Sequence, residues 1–211
     1  MNFIQKIYYN NKPLILTNNS EDYIKQHSIA EGYLTFIGAF SRNFRLALQH
    51  LDKIGTLGVV IEDASTDSLH QRLYELYKPI DAGGGVVVNE KDEVLMIYRR
   101  GKWDLPKGKK DDNEDIAHCA LREVKEETGL QHLEIINKLC DTYHVYSQNR
   151  ENLLKHTVWY KMRSSSSEIL IPQKEENILE VKWVDNKQLS VIVYKSYDAI
   201  REVLQNAGFK W

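Results

Sequence analysis

The chain has 211 residues, of which 42% are hydrophobic and 27% charged, enough apolar material for one large core or two small ones. A formal net charge of −2 argues against a general nucleic-acid or membrane-surface binder, and two cysteines are too few for a disulfide framework. No apolar run reaches the roughly 18 residues of a spanning helix, and the opening MNFIQKIYYNN lacks the apolar centre of a signal peptide. A cytoplasmic protein is expected.

In chain order, Phe3, Ile4, Ile7, Tyr8 and Tyr9 suggest a strand, Asn10-Asn11-Lys12 a turn, and Leu14-Ile15-Leu16 a return strand. Phe44, Leu48 and Leu51 recur at helical spacing within residues 43–51. Leu57 to Ile61 predicts a buried strand, and Leu69, Leu73 and Leu76 place a helix over residues 68–77. Residues 1–80 are therefore expected to form a small α/β domain. His27, His50 and His70 are scattered through it and form no chemical constellation. Docking, dimerisation, substrate covering and a purely structural role all remain open for it.

The stretch PIDAGGG (residues 79–85) punctuates the chain with a proline and three consecutive glycines, the expected domain boundary. No GK[ST] follows, so the glycines are not a phosphate loop. Val86-Val87-Val88, the turn Asn89-Glu90-Lys91-Asp92, and residues 94–98 predict a hairpin. Residues 99–110 then gather six cations: Arg99, Arg100, Lys102, Lys107, Lys109 and Lys110. Trp103 within this loop reads as a packing residue.

A helix is expected from Asp115, whose side chain can cap it, to Gly129, a left-handed stop. Ala117, Leu121 and Val124 form its seating face. At about 100° per residue, Glu123 lies one turn from both Glu126 and Glu127. These like charges repel each other and sit where the helix dipole disfavours anions. Such a cluster calls for neutralisation, and hard divalent cations that prefer oxygen suit it best. A basic loop opposite carboxylates that bind metal is what a polyphosphate requires. Cys119, inside the helix, reads as a small packing residue.

Beyond Leu130, strands are expected over residues 133–139, 142–147, 155–162 and 181–184, with a serine-rich loop over 163–168 and a last helix over 194–206. In the third of these, Lys155, Thr157 and Trp159 share one face.

The order Gly108, Glu114, Arg122-Glu123-Val124-Lys125-Glu126-Glu127-Thr128-Gly129-Leu130 resembles the signature GX5EX7REUXEEXGU of the Nudix hydrolases at every specified position. The resemblance covers residues 81–211 and implies an α/β/α sandwich with a mixed sheet, preceded here by the small N-terminal domain. It also implies hydrolysis of a phosphoanhydride bond in a nucleoside diphosphate linked to another group, with Mg²⁺ or Mn²⁺. Carried residue by residue, it makes Glu123, Glu126, Glu127 and the Gly108 carbonyl the metal ligands. Arg122 would orient the carboxylates through Glu114. The base would be Glu126 or a later loop residue, for which Glu175 and Glu176 are candidates.

The loop WDLPKGK (residues 103–109) looks like that of diadenosine tetraphosphate hydrolases and their relatives acting on diphosphoinositol polyphosphates. Dinucleoside polyphosphates are thus the expected substrate. A nucleoside triphosphate, a nucleotide sugar or a diphosphoinositol polyphosphate is the alternative, and a nucleotide-sensing module without catalysis is the alternative of another class. Arg99, Lys102, Lys107, Lys109 and Lys155 are candidates for phosphate, with Tyr143 or Tyr160 for a base. A small-molecule partner, no membrane and no nucleic acid complete the expectation, with a homodimer left as an option.

Overall fold

The computed structural model describes residues 2–211. They divide into two compact units: the described residues up to Pro79 with Tyr143–Lys155, and Ile80–Thr142 with His156–Trp211. The chain thus passes between units three times, where the sequence suggested a single crossing. Tyr143 and Lys155, assigned above to the C-terminal domain, belong to the first unit.

In the first unit, β1 (Ile4–Tyr9) and β2 (Lys12–Thr17) form a hairpin. Its turn residues Asn10 and Asn11 have φ of 49° and 63°, values that asparagine tolerates and that match the twist of the flanking strands. After α1 (Ser20–Gln26), β3 (Leu34–Ile37), α2 (Ser41–Leu51), β4 (Val59–Glu62) and α3 (Thr66–Leu76) follow in turn. β4 runs parallel to both β2 and β3 and pairs with each. Phe44, Ala47 and Leu51 of α2 and Leu69 and Leu73 of α3 bury their stripes on Ile7, Leu14, Leu16, Val59 and Ile61. Ile15 and Val60 point to the other face and meet Tyr23 and Ala30. Val145 and Leu154 join the larger core, and Tyr143 packs at its edge, in parallel register with Ile7.

The second unit begins with the hairpin of β5 (Lys78–Val88) and β6 (Val94–Arg99). Its turn is pinned by Asn89, whose Oδ1 accepts from the amides of Lys91 (2.9 Å) and Glu93 (3.1 Å). There follow β7 (Lys102–Asp104), β8 (Lys107–Lys109), α4 (Ile116–Thr128), β9 (Glu134–Gln148), β10 (Glu151–Arg163), β11 (Ile178–Val184), α5 (Asn186–Ile192) and α6 (Asp198–Asn206). The strands run β11-β6-β5-β10-β9, with β7 on β6 and β8 on β5. Alternation along β5 and β6 feeds two cores. Val87 and Leu95 meet Ala120 and Val124 of α4, whereas Val86, Val94 and Met96 meet Leu189 of α5 and Ile200, Val203 and Leu204 of α6. Helices therefore cover both faces of a mixed sheet, the expected α/β/α sandwich.

Three details differ from the sequence reading. Gly83, Gly84 and Gly85 lie inside β5 and do not form a linker. A Cβ on Gly83 would stand 2.6 Å from the Ala120 amide nitrogen, and one on Gly84 would stand 2.7 Å from both Lys107 Cβ and the Trp159 ring. The glycines thus let α4, the loop and Trp159 approach the strand. Residues 133–147, read as two strands, form one, because Thr142 is buried and accepts from Trp159 Nε1 at 2.8 Å, so the polar break in the pattern is paired. Trp159 and Thr157, which share a face of β10, are both buried.

Candidate active site

The site is built on α4 and the loop that faces it. Asp115 caps the helix, accepting from the amides of Ala117 (2.8 Å) and His118 (3.4 Å). Gly129, at φ 82°, ends it and donates to the Lys125 carbonyl. Leu105 and Pro106 are buried beside β7, so Lys107-Gly108-Lys109 is fixed as a short strand against β5, with Gly108 opposite Gly83.

Arg122 organises the near side. Its Nε and Nη2 grip the two oxygens of Glu114 at 2.9 Å each, and Nη2 also donates to the Lys109 carbonyl at 3.1 Å. Its Nη1 lies 2.7 Å from Glu123 Oε1 and 3.2 Å from Glu126 Oε2. Hydrogen bonding from Arg122 holds the Glu114 carboxyl down at about 2. Burial pushes Glu123 up against the pull of Arg122. Glu123 sits so close under Gly108 that a Cβ there would fall 1.7 Å from its Oε2.

Glu127 faces elsewhere. It is 1% exposed, and its oxygens take Arg99 Nη1 and the Lys107 amide at 2.9 Å each. Burial raises its carboxyl to about 7, with Lys107 and Arg99 pulling it back. Two of the three expected carboxylates therefore converge on one cationic nitrogen, while the third is held apart by its own arginine. Among the described residues no group of three or more His, Cys, Asp or Glu side chains is gathered at spacing suited to a metal ion. The donor set still fits a hard cation: Glu123 and Glu126 present oxygens to a single positive point, with the Gly108 backbone beside Glu123.

The remaining candidates are spread out. Arg99 bridges Glu127 to Glu176 (3.5 Å), so it is engaged by carboxylates. Glu176 and the exposed Glu175 share the 3-10 turn Lys174–Glu176. The Lys107 ammonium is committed to Asp104 (2.6 Å) and the Leu105 carbonyl (3.2 Å). Lys102 lies over the Tyr197 ring at 5.2 Å, and Lys109 is exposed. Trp103 packs in the core beside Tyr98, as its sequence context suggested. Tyr143 and Lys155 stand in the first unit, and Tyr160 packs at the edge of the α4 core. Asp104, only 4% exposed, was missed; the signal was a lone carboxylate three residues before Lys107 in a basic loop.

A family model described as NUDIX domain matches residues 78–206. The RNA pyrophosphohydrolase of Pelagibacter ubique (strain HTCC1062) is 31% identical over 132 residues, covering 54% of this chain and 82% of that protein. The m7GpppN-mRNA hydrolase of Saccharomyces cerevisiae (strain ATCC 204508 / S288c) is 27% identical over 139 residues, covering 64% of this chain and 14% of that one. Among solved structures, a C. elegans Ap4A hydrolase in a binary complex aligns at TM-score 0.48 and 21% identity, over 61% of this chain and 95% of its own.

Proposed function

The chain belongs to the Nudix family of hydrolases, and from that premise we propose that it splits a phosphoanhydride bond in a dinucleoside polyphosphate. The observation that carries the hydrolytic reading is the convergence of Glu123 and Glu126 on one point beside Gly108, inside the matched domain. The loop WDLPKGK supports the substrate.

Nudix hydrolases work with divalent metal ions; here Mg²⁺ or Mn²⁺ would be held by Glu123, Glu126 and the Gly108 carbonyl, whereas Glu127, the third donor that the resemblance names, is engaged by Arg99 and the Lys107 amide. When bound, such an ion supplies charge neutralisation at the phosphates and a more acidic water. The chain's own residues do the rest. Arg122, anchored on Glu114, sets the carboxylate pair. Lys109 and Lys102 meet the polyphosphate, since Lys107 is neutralised by Asp104. Glu126 or the Glu175–Glu176 pair takes the proton of the attacking water.

A second reading has a specific observation behind it. The Pelagibacter relative, matched over 82% of its length, is named for RNA, and a polyphosphorylated RNA end presents the same linkage. The test is product analysis with Mg²⁺ on diadenosine tetraphosphate, RNA carrying a 5′-triphosphate, a deoxynucleoside triphosphate and ADP-ribose. Mononucleotide products from the first are expected. Turnover of RNA ends alone moves the assignment to the second reading, and turnover of none overturns both.

A further inference from the structure

Arg99 stands last in β6, opposite Lys102 across the two-residue turn Arg100-Gly101. Its side chain is 13% exposed and divides between two carboxylates on separate elements. One arm is short and dry: Nη1 to Glu127 at 2.9 Å, with the Glu127 side chain 1% exposed. The other is long and wet: Nη2 to Glu176 at 3.5 Å, with Glu176 52% exposed. The segment carrying Glu176 is also tied to the end of α4 through its backbone. Ile171 donates to the Thr128 carbonyl (2.8 Å) and Gln173 to the Glu127 carbonyl (3.4 Å). At its far end the pairing of β11 with β6 shifts register between Ile178 and Glu180, and Ile178 lies opposite Arg99 itself. Three of the ties on the Lys174–Glu176 turn and its flanks therefore run to Arg99 or to Glu127, which it holds: the Glu176 ion pair, the Gln173 amide and the register of Ile178.

We propose that Arg99 is a positioning residue of the hydrolytic site: it is anchored on Glu127 and latches Glu176, and so sets where the Glu175–Glu176 pair stands against α4. This rests on the hydrolytic reading above and gives Arg99 a different part from the phosphate contact its sequence position suggested. A planar guanidinium can reach two carboxylates on separate elements at once, whereas an ammonium is a single point charge. Arg99→Lys therefore keeps a positive charge beside the buried Glu127 while losing the latch. The strong arm fixes the arginine, and the weak arm biases the turn without locking it.

The test compares the wild type with Arg99→Lys and Glu176→Gln. The first readout is amide hydrogen exchange across residues 171–178 of the protein without added metal or nucleotide. Both variants should speed exchange at residues 176–178 by roughly threefold, the range an exposed ion pair supports. The second readout is steady-state kinetics on whichever substrate of the panel the wild type turns over. Arg99→Lys should lower kcat by about ten- to a hundredfold, the scale of a misplaced group, with KM within about threefold of wild type. Exchange unchanged in Arg99→Lys overturns the proposal, as does a raised KM at constant kcat, which would make Arg99 a substrate ligand. A wild type inactive on every substrate defeats the hydrolytic reading instead, and the exchange result then stands alone as evidence on the latch.

Discussion

Gly108→Ala offers the sharpest perturbation of the site. The added methyl would arrive 1.7 Å from Glu123 Oε2, 2.0 Å from its Cδ and 2.5 Å from Oε1. Ordinary carbon contacts begin near 3.4 Å, so the carboxylate must retreat by more than about 1 Å. The three nearest atoms all belong to the tip of a flexible side chain, so the tip rather than the backbone is expected to move. The cost to folding is the loosened contact of Glu123 with Arg122, a partly exposed pair worth at most about 1 kcal/mol. That corresponds to a shift of about 2–4 °C in Tm for a chain of this size. The cost to chemistry is larger. A misplacement of about 1 Å in a catalytic group lowers turnover by about a hundredfold, close to 2.7 kcal/mol of barrier. Calorimetry beside a phosphate-release assay with Mg²⁺ checks both. An alanine variant with wild-type turnover would refute the placement of Glu123, and one that failed to fold would refute the claim that only its tip is displaced.

Gly83→Ala should behave in the opposite way, because its methyl would meet the backbone of α4 at 2.6–2.9 Å. A loss of stability of about 3 kcal/mol, at the upper end for overpacking, is expected from urea unfolding. Asp104→Asn removes the partner of a half-buried ammonium and should cost about 1–3 kcal/mol in the same assay. The Glu114 carboxyl is held near 2 in the folded chain against an ordinary 4.5. A depressed folded value means that this contribution is present above about pH 4.5 and is lost as pH falls toward 2. Urea midpoints between pH 6 and 3 should therefore fall less steeply in Glu114→Gln than in wild type, and parallel curves would contradict the assignment.

Local chemistry was legible in the sequence where it is decided locally. Asp115 and Gly129 bound α4 because a cap and a left-handed stop need only their own neighbours. Leu69 and Leu73, and Phe44 and Leu51, declared two helices by their period. The Arg122–Glu114 pair followed from the resemblance and appears with both oxygens engaged. What stayed hidden depends on distant partners. The glycines of β5 read as punctuation because the bodies that crowd them, Ala120 and Trp159, lie far along the chain. Alternation in β10 could not say which face is core because Thr157, Val158 and Trp159 are buried in succession, on both faces. Nor could helical spacing say which cation each glutamate meets, so Glu127 turning to Arg99 required the fold. α5 was missed despite a legible signal, the capping box of Asp185 and Gln188.

The central claim is that Glu123 and Glu126 jointly hold a divalent ion for phosphoanhydride hydrolysis. Its most direct test is Mn²⁺ binding, by calorimetric titration, to the wild type and to the double variant Glu123→Gln/Glu126→Gln, with circular dichroism as the check on folding. The double variant should stay folded and lose affinity by more than about a hundredfold, beyond the roughly 10–100-fold that a supporting residue costs. A folded double variant with undiminished Mn²⁺ affinity would contradict it.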